Sequence, residues 1–290
     1  MADADVSIET LQAALAERDA ELDALRAELE ETNRGVVALY GELDAQADQL
    51  RQATELKSRF LAYMSHEFRT PIASFQSLTR LLLSHADGPL TPEQEKQIRF
   101  ISDTAGEFSD MVNDLLDLAK VEAGRVDVNA AWFEMVDLFS ALRGMFRPVL
   151  VNPEVNLIFE EPQGVPRLFT DDRKLSQILR NFISNALKFT VQGDVRVSAV
   201  LNDDSTITFA VADTGIGIAP EAHGSIFHDF VQVDSPLQKR LRGTGLGLSL
   251  SKRIAELLGG SVGFSSDLGK GSVFWVTLPA QLGPDAATTP

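Results

Sequence analysis

The stretch Gly243-Thr244-Gly245-Leu246-Gly247-Leu248 stands at the start of a predicted helix, near Leu246–Leu258, late in a chain of 290 residues. Glycines at alternate positions leave the backbone N–H groups of a helix N-terminus open to a phosphate group. The spacing Gly-x-Gly-x-Gly differs from the Gly-x-Gly-x-x-Gly of dinucleotide-binding folds, and no βαβ unit surrounds it. The stretch therefore predicts a phosphate-binding helix start that does not belong to a dinucleotide-binding fold.

A second glycine pair lies upstream, in Asp213-Thr214-Gly215-Ile216-Gly217-Ile218, directly after a segment that alternates apolar and polar residues. Such alternation is typical of half-buried strands. The predicted strands are Val195–Leu201, Ile207–Val211 and Val273–Leu278, and further predicted helices are Val136–Phe146 and Asp172–Phe189. This mixture favours an α+β sandwich of two layers, with the helices on one face of a sheet.

Two long amphipathic helices precede that domain. The first carries Phe60 and Met64 in a heptad register that starts further upstream, and the second begins at Thr91-Pro92-Glu93-Gln94, which has the pattern of a capping box. Gly124 is the predicted end of the second helix. A short break between the helices predicts an antiparallel hairpin. Each apolar seam is wider than one neighbour can cover, so two hairpins are predicted to pair as a dimeric four-helix bundle.

The N-terminal residues 1–57 repeat with a period of seven. All heptad a positions are apolar, whereas the d positions alternate between apolar and polar residues until Ala53. The a positions are Ile8, Leu15, Leu22, Leu29, Val36, Leu43 and Leu50, and the polar d positions are Arg18, Thr32 and Gln46. The repeat predicts a parallel coiled coil whose seam can slip or rotate. A solvated helical spacer is the alternative, because this segment has 14 acidic and five basic residues.

The composition excludes several classes of function. The chain has 42 acidic and 26 basic residues, and its net charge of −16 disfavours binding to nucleic acids or anionic membranes. No cysteine is present, so disulfides, thiolate metal sites and cysteine nucleophiles are excluded. The four histidines lack metal-ligand spacing. The sequence has no uninterrupted run of 18 apolar residues, so no membrane-spanning helix is predicted. The N-terminus is acidic, unlike that of a signal peptide, and a cytoplasmic location is therefore expected.

Four stretches in this order resemble the catalytic core of the two-component sensor histidine kinases, over about Leu56–Pro279. They are Ser65-His66-Glu67-Phe68-Arg69-Thr70-Pro71, the helical stretch Asn181–Thr190, Asp213–Ile218 and Gly243–Leu248. Together with the patterns above, the resemblance divides the chain into four parts. These are a coiled-coil signalling helix at 1–57, a dimerisation and histidine phosphotransfer domain at 58–124, an ATP-binding catalytic domain at 125–282 and a flexible tail at 283–290.

The resemblance implies that His66 is the residue that becomes phosphorylated. Its heptad c position points outward from the seam, as a phosphoacceptor requires. Glu67 matches the neighbouring acid of the family, which is thought to accept the other ring N–H. Thr70 lies one helical turn beyond His66 and matches a hydroxyl that orients water for dephosphorylation of the partner in related bifunctional kinases. A local bond between the Thr70 hydroxyl and the backbone is the alternative.

The other stretches are expected to bind ATP and Mg²⁺. Asn185 matches the Mg²⁺ ligand of the family, and Lys188 can reach a phosphate group. Asn181 stands where the chaperone and gyrase relatives have a glutamate that activates water, which favours phosphoryl transfer over hydrolysis. Asp213 is expected to bind the adenine amino group, and Gly215 and Gly217 to let the backbone approach the nucleotide.

A long connection before the last glycine stretch is predicted to be a mobile lid. Together with the phosphate-binding helix start, it supplies the remaining predicted nucleotide-binding residues: Phe230, Lys239, Arg240, Arg242, Gly243, Thr244, Gly245, Leu246 and Gly247.

The resulting hypothesis is a homodimeric kinase in which ATP–Mg²⁺ phosphorylates His66. The phosphoryl group then passes to an aspartate of a response-regulator receiver domain. An upstream sensor domain or protein is a further candidate partner. Two alternatives stay open on sequence grounds, a GHKL-type ATPase and a pseudokinase scaffold that only dimerises. The residues do not identify the stimulus.

Overall fold

The computed structural model describes residues 2–86, 88–124, 126–148, 150, 152–162, 164–232 and 244–283. It divides into two compact units, Met1–Lys57 and Ser58–Pro290. Helix α1 spans Ala2–Leu83 and is helical through Pro71. None of the helices in the described ranges is both long and apolar enough to cross a membrane.

In the first unit, the described side chains of α1 are solvent-exposed, except that of Thr54, which is partly buried. Ion pairs one turn apart, such as Arg18 with Glu21 and Arg26 with Asp23, lie on the helix surface. The apolar side chains at the predicted a positions are exposed at seven-residue intervals: Leu15, Leu22, Leu29, Val36, Leu43 and Leu50. They form an apolar stripe along the helix, which is the pattern that the heptad analysis predicts.

Helix α2, Pro92–Glu122, begins with the predicted capping box. The Gln94 N–H donates to Thr91 Oγ1 at 3.3 Å, and the Thr91 N–H donates to Gln94 Oε1 at 2.9 Å. The chain leaves the helix at Gly124, whose φ of +64° suits a residue without a Cβ. Both predicted ends of this helix are therefore confirmed.

Helices α1 and α2 form a hairpin in which some apolar residues are buried and many are not. The Phe68 and Phe108 rings lie 5.7 Å apart, and Arg69 Nη2 donates to Asn113 Oδ1 at 3.4 Å. On α1, the buried Ser65, Ile72 and Thr79 are spaced by seven residues. Large apolar side chains that stay exposed on the two helices include Phe60, Tyr63, Phe75, Leu78, Leu82, Phe100, Ile101 and Met111.

The described residues in the rest of the second unit form two sheets, three α-helices and a short 3-10 helix, Pro220–Ala222. The larger sheet has the order β2-β4-β5-β7-β6, in which β2 and β4 are parallel and the other pairs are antiparallel. A two-stranded sheet pairs β1 with β3. The strands are β1 Ala131–Phe133, β2 Val155–Phe159, β3 Leu168–Thr170, β4 Gly193–Leu201, β5 Thr206–Asp213, β6 Ser261–Asp267 and β7 Gly271–Pro279. The helices are α3 Met135–Phe146, α4 Asp172–Phe189 and α5 Gly247–Leu257.

One face of the larger sheet packs against α4 and α5. Alternate residues of its central strands are buried, such as Val197, Phe209 and Val276, while the side chains between them are partly or fully exposed. On α4, buried residues recur at helical spacing from Leu175 to Ala186. The predicted α+β arrangement is therefore present.

Helix α2 also contributes to the core of this mixed domain. Leu118 is buried in the same apolar cluster as the sheet and α4, and Leu115 and Val121 pack against that cluster. This shared core explains why the hairpin and the mixed domain belong to one compact unit.

Candidate functional site

A cleft opens between α4, the end of β5 and the start of α5. Eight residues that the sequence analysis assigned to nucleotide binding line it: Asn181, Asn185, Lys188, Asp213, Gly217, Thr244, Gly245 and Gly247. The fold thus brings together residues up to 66 positions apart in the sequence, from Asn181 to Gly247.

Two asparagines on one face of α4 connect that helix to α5. Asn185 Nδ2 donates to Asn181 Oδ1 at 3.3 Å, and Asn181 Nδ2 donates to Ser251 Oγ at 2.9 Å. A Cβ at Gly247 would collide with Asn181 Oδ1, so Gly247 lets α5 begin against α4. In this arrangement Asn181 ties the two helices together. The Asn185 amide donates its N–H to Asn181, which leaves its carbonyl oxygen as the group for another ligand.

Asp213 lies at the end of β5 with its carboxylate in the cleft. Burial raises the pKa of this carboxyl, and hydrogen bonds from the Gly215 and Ser272 N–H groups act in the opposite direction. The Gly215 N–H donates to Asp213 Oδ1 at 2.8 Å. A carboxylate held in this way can accept a hydrogen bond from an amino group of a ligand.

Two glycines after Asp213 have no room for a side chain. A Cβ at Gly215 would collide with the Phe189 carbonyl oxygen, and a Cβ at Gly217 would collide with the Asp267 carbonyl oxygen. Gly217 also has a φ of +66° and lines the cleft, whereas Gly215 does not. Gly215 therefore supports the turn that aims Asp213, which is a different role from direct contact with a nucleotide.

Lys188 is half-buried and lines the cleft from the end of α4. Burial lowers the pKa of its ammonium group, and the nearby carboxylate of Glu107 on α2 acts in the opposite direction. A cation on this wall suits the phosphate groups of a nucleotide.

The described part of the last glycine stretch forms another wall. Thr244 Oγ1 accepts a hydrogen bond from the Leu246 N–H at 3.1 Å, and Gly245 has a φ of +71°. The Leu246 side chain, predicted to bind the nucleotide, is fully buried in the apolar core and does not line the cleft. The predicted residues Lys239, Arg240, Arg242 and Gly243 lie outside the described residues.

Phe230 stands before that stretch in a left-handed conformation, with a φ of +62°. Its ring is largely exposed and does not line the cleft, although the next two residues, Val231 and Gln232, do. Its N–H donates to the Gly245 carbonyl oxygen at 3.0 Å. Phe230 thus contacts the glycine stretch through its backbone.

Asp114 on α2 reaches the cleft from the hairpin, a role that the sequence analysis missed. The Thr244 hydroxyl donates to Asp114 Oδ2 at 3.3 Å. The pKa of Asp114 is raised to about 6, chiefly by burial and also by the carboxylates of Asp110 and Asp117, while the hydrogen bond from Thr244 acts in the opposite direction. The sequence gives no local signal for this contact, because it depends on how α2 packs against the mixed domain.

The predicted phosphotransfer residues lie on the surface of α1. The His66 side chain is 79% exposed, and its Nδ1 lies 3.9 Å from Glu67 Oε1, which is too long for a hydrogen bond. Thr70 is also exposed. Within the described ranges its hydroxyl makes no hydrogen bond, and its carbonyl oxygen accepts one from Ser74 Oγ at 3.1 Å. The alternative reading of Thr70, a local hydroxyl–backbone bond, is therefore not what the structure contains.

The donor set in the cleft suits a hard cation that is shared with phosphate groups. Among the described residues, no three His, Cys, Asp or Glu side chains are grouped to hold a metal ion by themselves. Asn185 instead offers one amide oxygen in the cleft. Mg²⁺ commonly keeps several waters and takes one or two protein oxygens together with substrate phosphates. The residues present therefore fit Mg²⁺ bound with a nucleotide.

Two family matches fall on these two parts of the chain. Residues 56–124 match the His Kinase A (phospho-acceptor) domain, and residues 170–282 match the histidine kinase-, DNA gyrase B-, and HSP90-like ATPase family. The first match includes His66 on the hairpin, and the second includes the cleft. The chain contains the catalytic core of a two-component sensor histidine kinase.

Curated relatives of this kinase are similar over most of its length. It is 34% identical to the sensor protein GacS of Pseudomonas syringae over 274 residues, which is 93% of this chain and 30% of that protein. It is 35% identical to the autoinducer 2 sensor kinase/phosphatase LuxQ of Vibrio parahaemolyticus, over 80% of this chain and 28% of that one. The kinase chain thus spans about a third of the length of these relatives.

Solved structures show the same fold. The full-length ShkA structure in complex with AMPPNP is 33% identical, with a TM-score of 0.62 over 76% of this chain and 45% of that one. The histidine kinase AdeS of Acinetobacter baumannii has a TM-score of 0.52 at 22% identity, over 74% of this chain and 98% of that one. The second likeness concerns the fold alone.

Proposed function

We propose that this kinase transfers the γ-phosphoryl group of ATP to His66 and then to an aspartate of a response-regulator receiver domain. One observation carries the proposal. An exposed histidine on the hairpin helix α1 shares a compact unit with a cleft that has an acceptor for an amino group, a cation and a glycine-rich helix start. These are the parts that phosphoryl transfer requires, since catalysis there rests chiefly on positioning and electrostatics.

The proposed chemistry at His66 is a displacement at phosphorus. An unprotonated ring nitrogen attacks the γ-phosphorus, a nitrogen–phosphorus bond forms, and the bond from phosphorus to the bridging oxygen breaks to release ADP. Exposure of the side chain gives the imidazole access to both ATP and a receiver domain. Glu67 is our candidate for orienting the ring, and it must approach from the 3.9 Å separation of the present structure to do so.

In the cleft, we assign the adenine amino group to Asp213 and the phosphate groups to Lys188, Thr244 and Gly245. The AMPPNP bound to ShkA, a structural relative, supports ATP as the nucleotide. Asn185 would hold Mg²⁺, which supplies positive charge to the phosphates when bound. Asn181 lacks a basic carboxylate and is engaged with Ser251, which disfavours direct hydrolysis of ATP.

We propose that the working state is a homodimer joined by the hairpin and the N-terminal coil. Exposed Phe60, Tyr63 and Phe75 on α1 form an apolar face that a second hairpin would cover in a four-helix bundle. The exposed apolar stripe on residues 15–50 would pair in the same way as a parallel coiled coil. The domain bounds 1–57, 58–124 and 125–282 belong to this proposal, as does an upstream sensor domain or protein.

A phosphatase activity toward the receiver domain is a second candidate function. The exposed Thr70 hydroxyl, which has no hydrogen bond within the described ranges, lies one turn from His66 and is placed to orient a water molecule. The relative LuxQ is described as a sensor kinase/phosphatase, which supports this candidate.

Incubation of the full chain with γ-labelled ATP tests the proposal. A phosphohistidine is labile in acid and stable in base, so the expected result is acid-labile protein label in the wild type and none in His66→Gln. His85→Asn is a matched control at an exposed histidine of the hairpin turn, and it should be labelled like the wild type. Free phosphate without protein label would indicate an ATPase, and neither product would indicate a scaffold.

A further inference from the structure

Arg253 on α5 joins three separate parts of the molecule. Its Nη1 lies 2.6 Å from Glu122 Oε1 at the end of α2, and its Nη2 lies 2.9 Å from Asp229 Oδ2. The side chains of all three residues are at most 30% exposed, so water screens these ion pairs less than it screens surface pairs. One guanidinium thus holds two carboxylates that are 107 positions apart in the sequence.

Asp229 depends strongly on this contact. One of its oxygens, Oδ1, is buried and has no hydrogen-bond partner in the described structure. The carboxylate is therefore held through Oδ2 by Arg253. The Asp229 side chain is only partly exposed, so loss of the Arg253 cation would leave its charge incompletely compensated, and Arg253 therefore fixes the place of Asp229.

Phe230, the residue after Asp229, connects this ion pair to the nucleotide cleft. Phe230 is held in a left-handed conformation that bulky residues rarely adopt, and such conformations persist only where their surroundings fix them. Its N–H donates to the Gly245 carbonyl oxygen, and a Cβ at Gly245 would lie 2.9 Å from the Phe230 carbonyl carbon. The backbones of Phe230 and Gly245 are therefore in close contact, next to the cleft-lining Val231 and Gln232.

We propose that Arg253 is a positioning residue for the kinase reaction. Through Asp229 it fixes the backbone of Phe230 against Gly245 and so positions the adjoining Val231 and Gln232, which line the nucleotide cleft. Through Glu122 it makes the position of these two residues depend on the end of α2. Arg253 itself does not line the cleft, so its effect on nucleotide binding is indirect. The inference rests on the proposed function, because it assumes that the cleft binds ATP.

Arginine suits this role better than lysine. Its planar fork presents separate nitrogens to Glu122 and Asp229, whereas a lysine ammonium is a single point charge. Arg253→Lys should therefore keep the charge and lose one of the two contacts. Lys252 is an exposed cation one position away, and Lys252→Gln is the matched control for loss of charge on α5.

The first experiment measures AMPPNP affinity by calorimetry and the KM for ATP in the autophosphorylation of the full chain. We expect Arg253→Gln and Asp229→Asn to weaken AMPPNP binding and raise KM by roughly two- to thirty-fold, the range for coupled networks of this kind. Arg253→Lys should recover part of the loss, and Lys252→Gln should match the wild type. A purely structural role would lower thermal stability without this recovery or a selective rise in KM.

The second experiment asks whether Arg253 connects the two carboxylates. Glu122→Gln and Asp229→Asn are made singly and together, first with Arg253 present and then in Arg253→Gln. We expect non-additive effects on AMPPNP affinity when Arg253 is present and additive effects when it is absent. Additive effects in both backgrounds would overturn the link to α2, and wild-type affinity in Arg253→Gln would overturn the whole inference.

The wild-type chain separates this inference from the proposed function. If it binds AMPPNP and labels His66 while the Arg253 variants behave like it, the positioning role alone is wrong. If the wild type neither binds AMPPNP nor becomes labelled, the proposed function is wrong, and the positioning role falls with it.

Discussion

The hydroxyl of Thr244 donates a hydrogen bond to the carboxylate of Asp114 across 3.3 Å. This bond places an acidic residue of the hairpin helix α2 on the wall of the nucleotide cleft, beside the glycine stretch that we assign to phosphate binding. The Asp114 carboxylate and the phosphates of a bound nucleotide would lie close together here, and both are negatively charged. The packed position of α2 therefore opposes nucleotide binding by electrostatic repulsion.

Removal of that charge should strengthen nucleotide binding. We expect Asp114→Asn to lower the Kd for AMPPNP at pH 7.5 roughly three- to tenfold, which corresponds to a binding free energy that is more favourable by about 0.7–1.4 kcal/mol. The asparagine carbonyl can still accept the hydrogen bond from Thr244, so the local structure should be kept. Calorimetry on the full chain measures the change. Asp103→Asn, at an exposed carboxylate of the same helix, should leave the Kd unchanged. Equal or weaker binding in Asp114→Asn would show that repulsion is not the dominant effect.

The raised pKa of Asp114 also predicts how stability depends on pH. In the folded state this pKa is raised from the ordinary 3.8 to about 6, chiefly by burial and also by the carboxylates of Asp110 and Asp117, although the hydrogen bond from Thr244 lowers it. The folded state therefore binds the proton more tightly than the unfolded state does. The stability that protonation contributes is fully present below about pH 3.8 and is lost as the pH rises through about 6.

The test compares thermal unfolding of the wild type with that of Asp114→Asn, which cannot titrate at this position. Between pH 5 and pH 7.5, the Tm of the wild type should fall relative to that of the variant, by roughly 2 °C or more. The difference should level off above pH 7. A difference that is constant from pH 5 to pH 7.5 would contradict the burial of this carboxyl in solution.

Asp213 should determine both the affinity and the base preference of the cleft. In Asp213→Asn, the amide oxygen can still accept the bond from the Gly215 N–H, but the other amide atom becomes a donor that faces the adenine amino group. We expect AMPPNP to bind about tenfold more weakly or worse, since a hydrogen bond to a charged group contributes about 1.5–3 kcal/mol. The preference for ATP over GTP should shrink as well. Asp203→Asn, in an exposed turn, is the control. If Asp213→Asn binds AMPPNP as tightly as the wild type does, Asp213 does not bind the adenine base.

Thr70 separates the two proposed activities of the hairpin. Its exposed hydroxyl is not needed for attack on ATP, so Thr70→Ala should keep autophosphorylation within about twofold of the wild type while dephosphorylation of the receiver domain falls about tenfold or more. Thr70→Ser keeps the hydroxyl and should recover the activity. Ser74→Ala removes a hydroxyl one turn further along the same helix and serves as the control. Equal dephosphorylation rates in all four proteins would mean that Thr70 has no part in a phosphatase reaction.

Features set by local residue patterns could be predicted from the sequence. The capping box of Thr91 and Gln94 is present, and the predicted strands Val195–Leu201, Ile207–Val211 and Val273–Leu278 lie inside β4, β5 and β7. These features depend on neighbours in the sequence and on the alternation of buried side chains along a strand. Eight of the residues that line the cleft were predicted in advance, because the glycine and asparagine stretches resemble those of the histidine kinases.

Features set by packing between distant segments were missed. Leu118 of α2 is buried in the core of the mixed domain, and this contact was not predicted. The same packing carries Asp114 into the cleft and Glu122 to Arg253. Strands β2 and β6 were also not predicted. Their burial is only partial, so a clear alternation of apolar and polar residues is absent.

The N-terminal coil is predicted to regulate the kinase. Its apolar a positions, from Ile8 to Leu50, share one register with Phe60 and Met64 on the helix that bears His66. The polar d residues Arg18, Thr32 and Gln46 weaken the seam and lower the free-energy difference between alternative packings of a dimer. A rotation in the coil should therefore change the orientation of His66 relative to ATP.

A series of insertions after Gln46 tests this coupling. One added alanine turns the following helix by about 100° relative to the seam, because an α-helix has 3.6 residues per turn, whereas a duplicated heptad restores the phase. We expect the initial rate of autophosphorylation to change by at least about fivefold with one residue and to return toward the wild-type value with seven. Sedimentation must show that each variant is a dimer, and AMPPNP affinity should stay constant, since the cleft is unchanged. A flat rate profile among intact dimers would mean that the segment is a passive, solvated spacer, because the phase of the helix then has no effect on how His66 meets ATP.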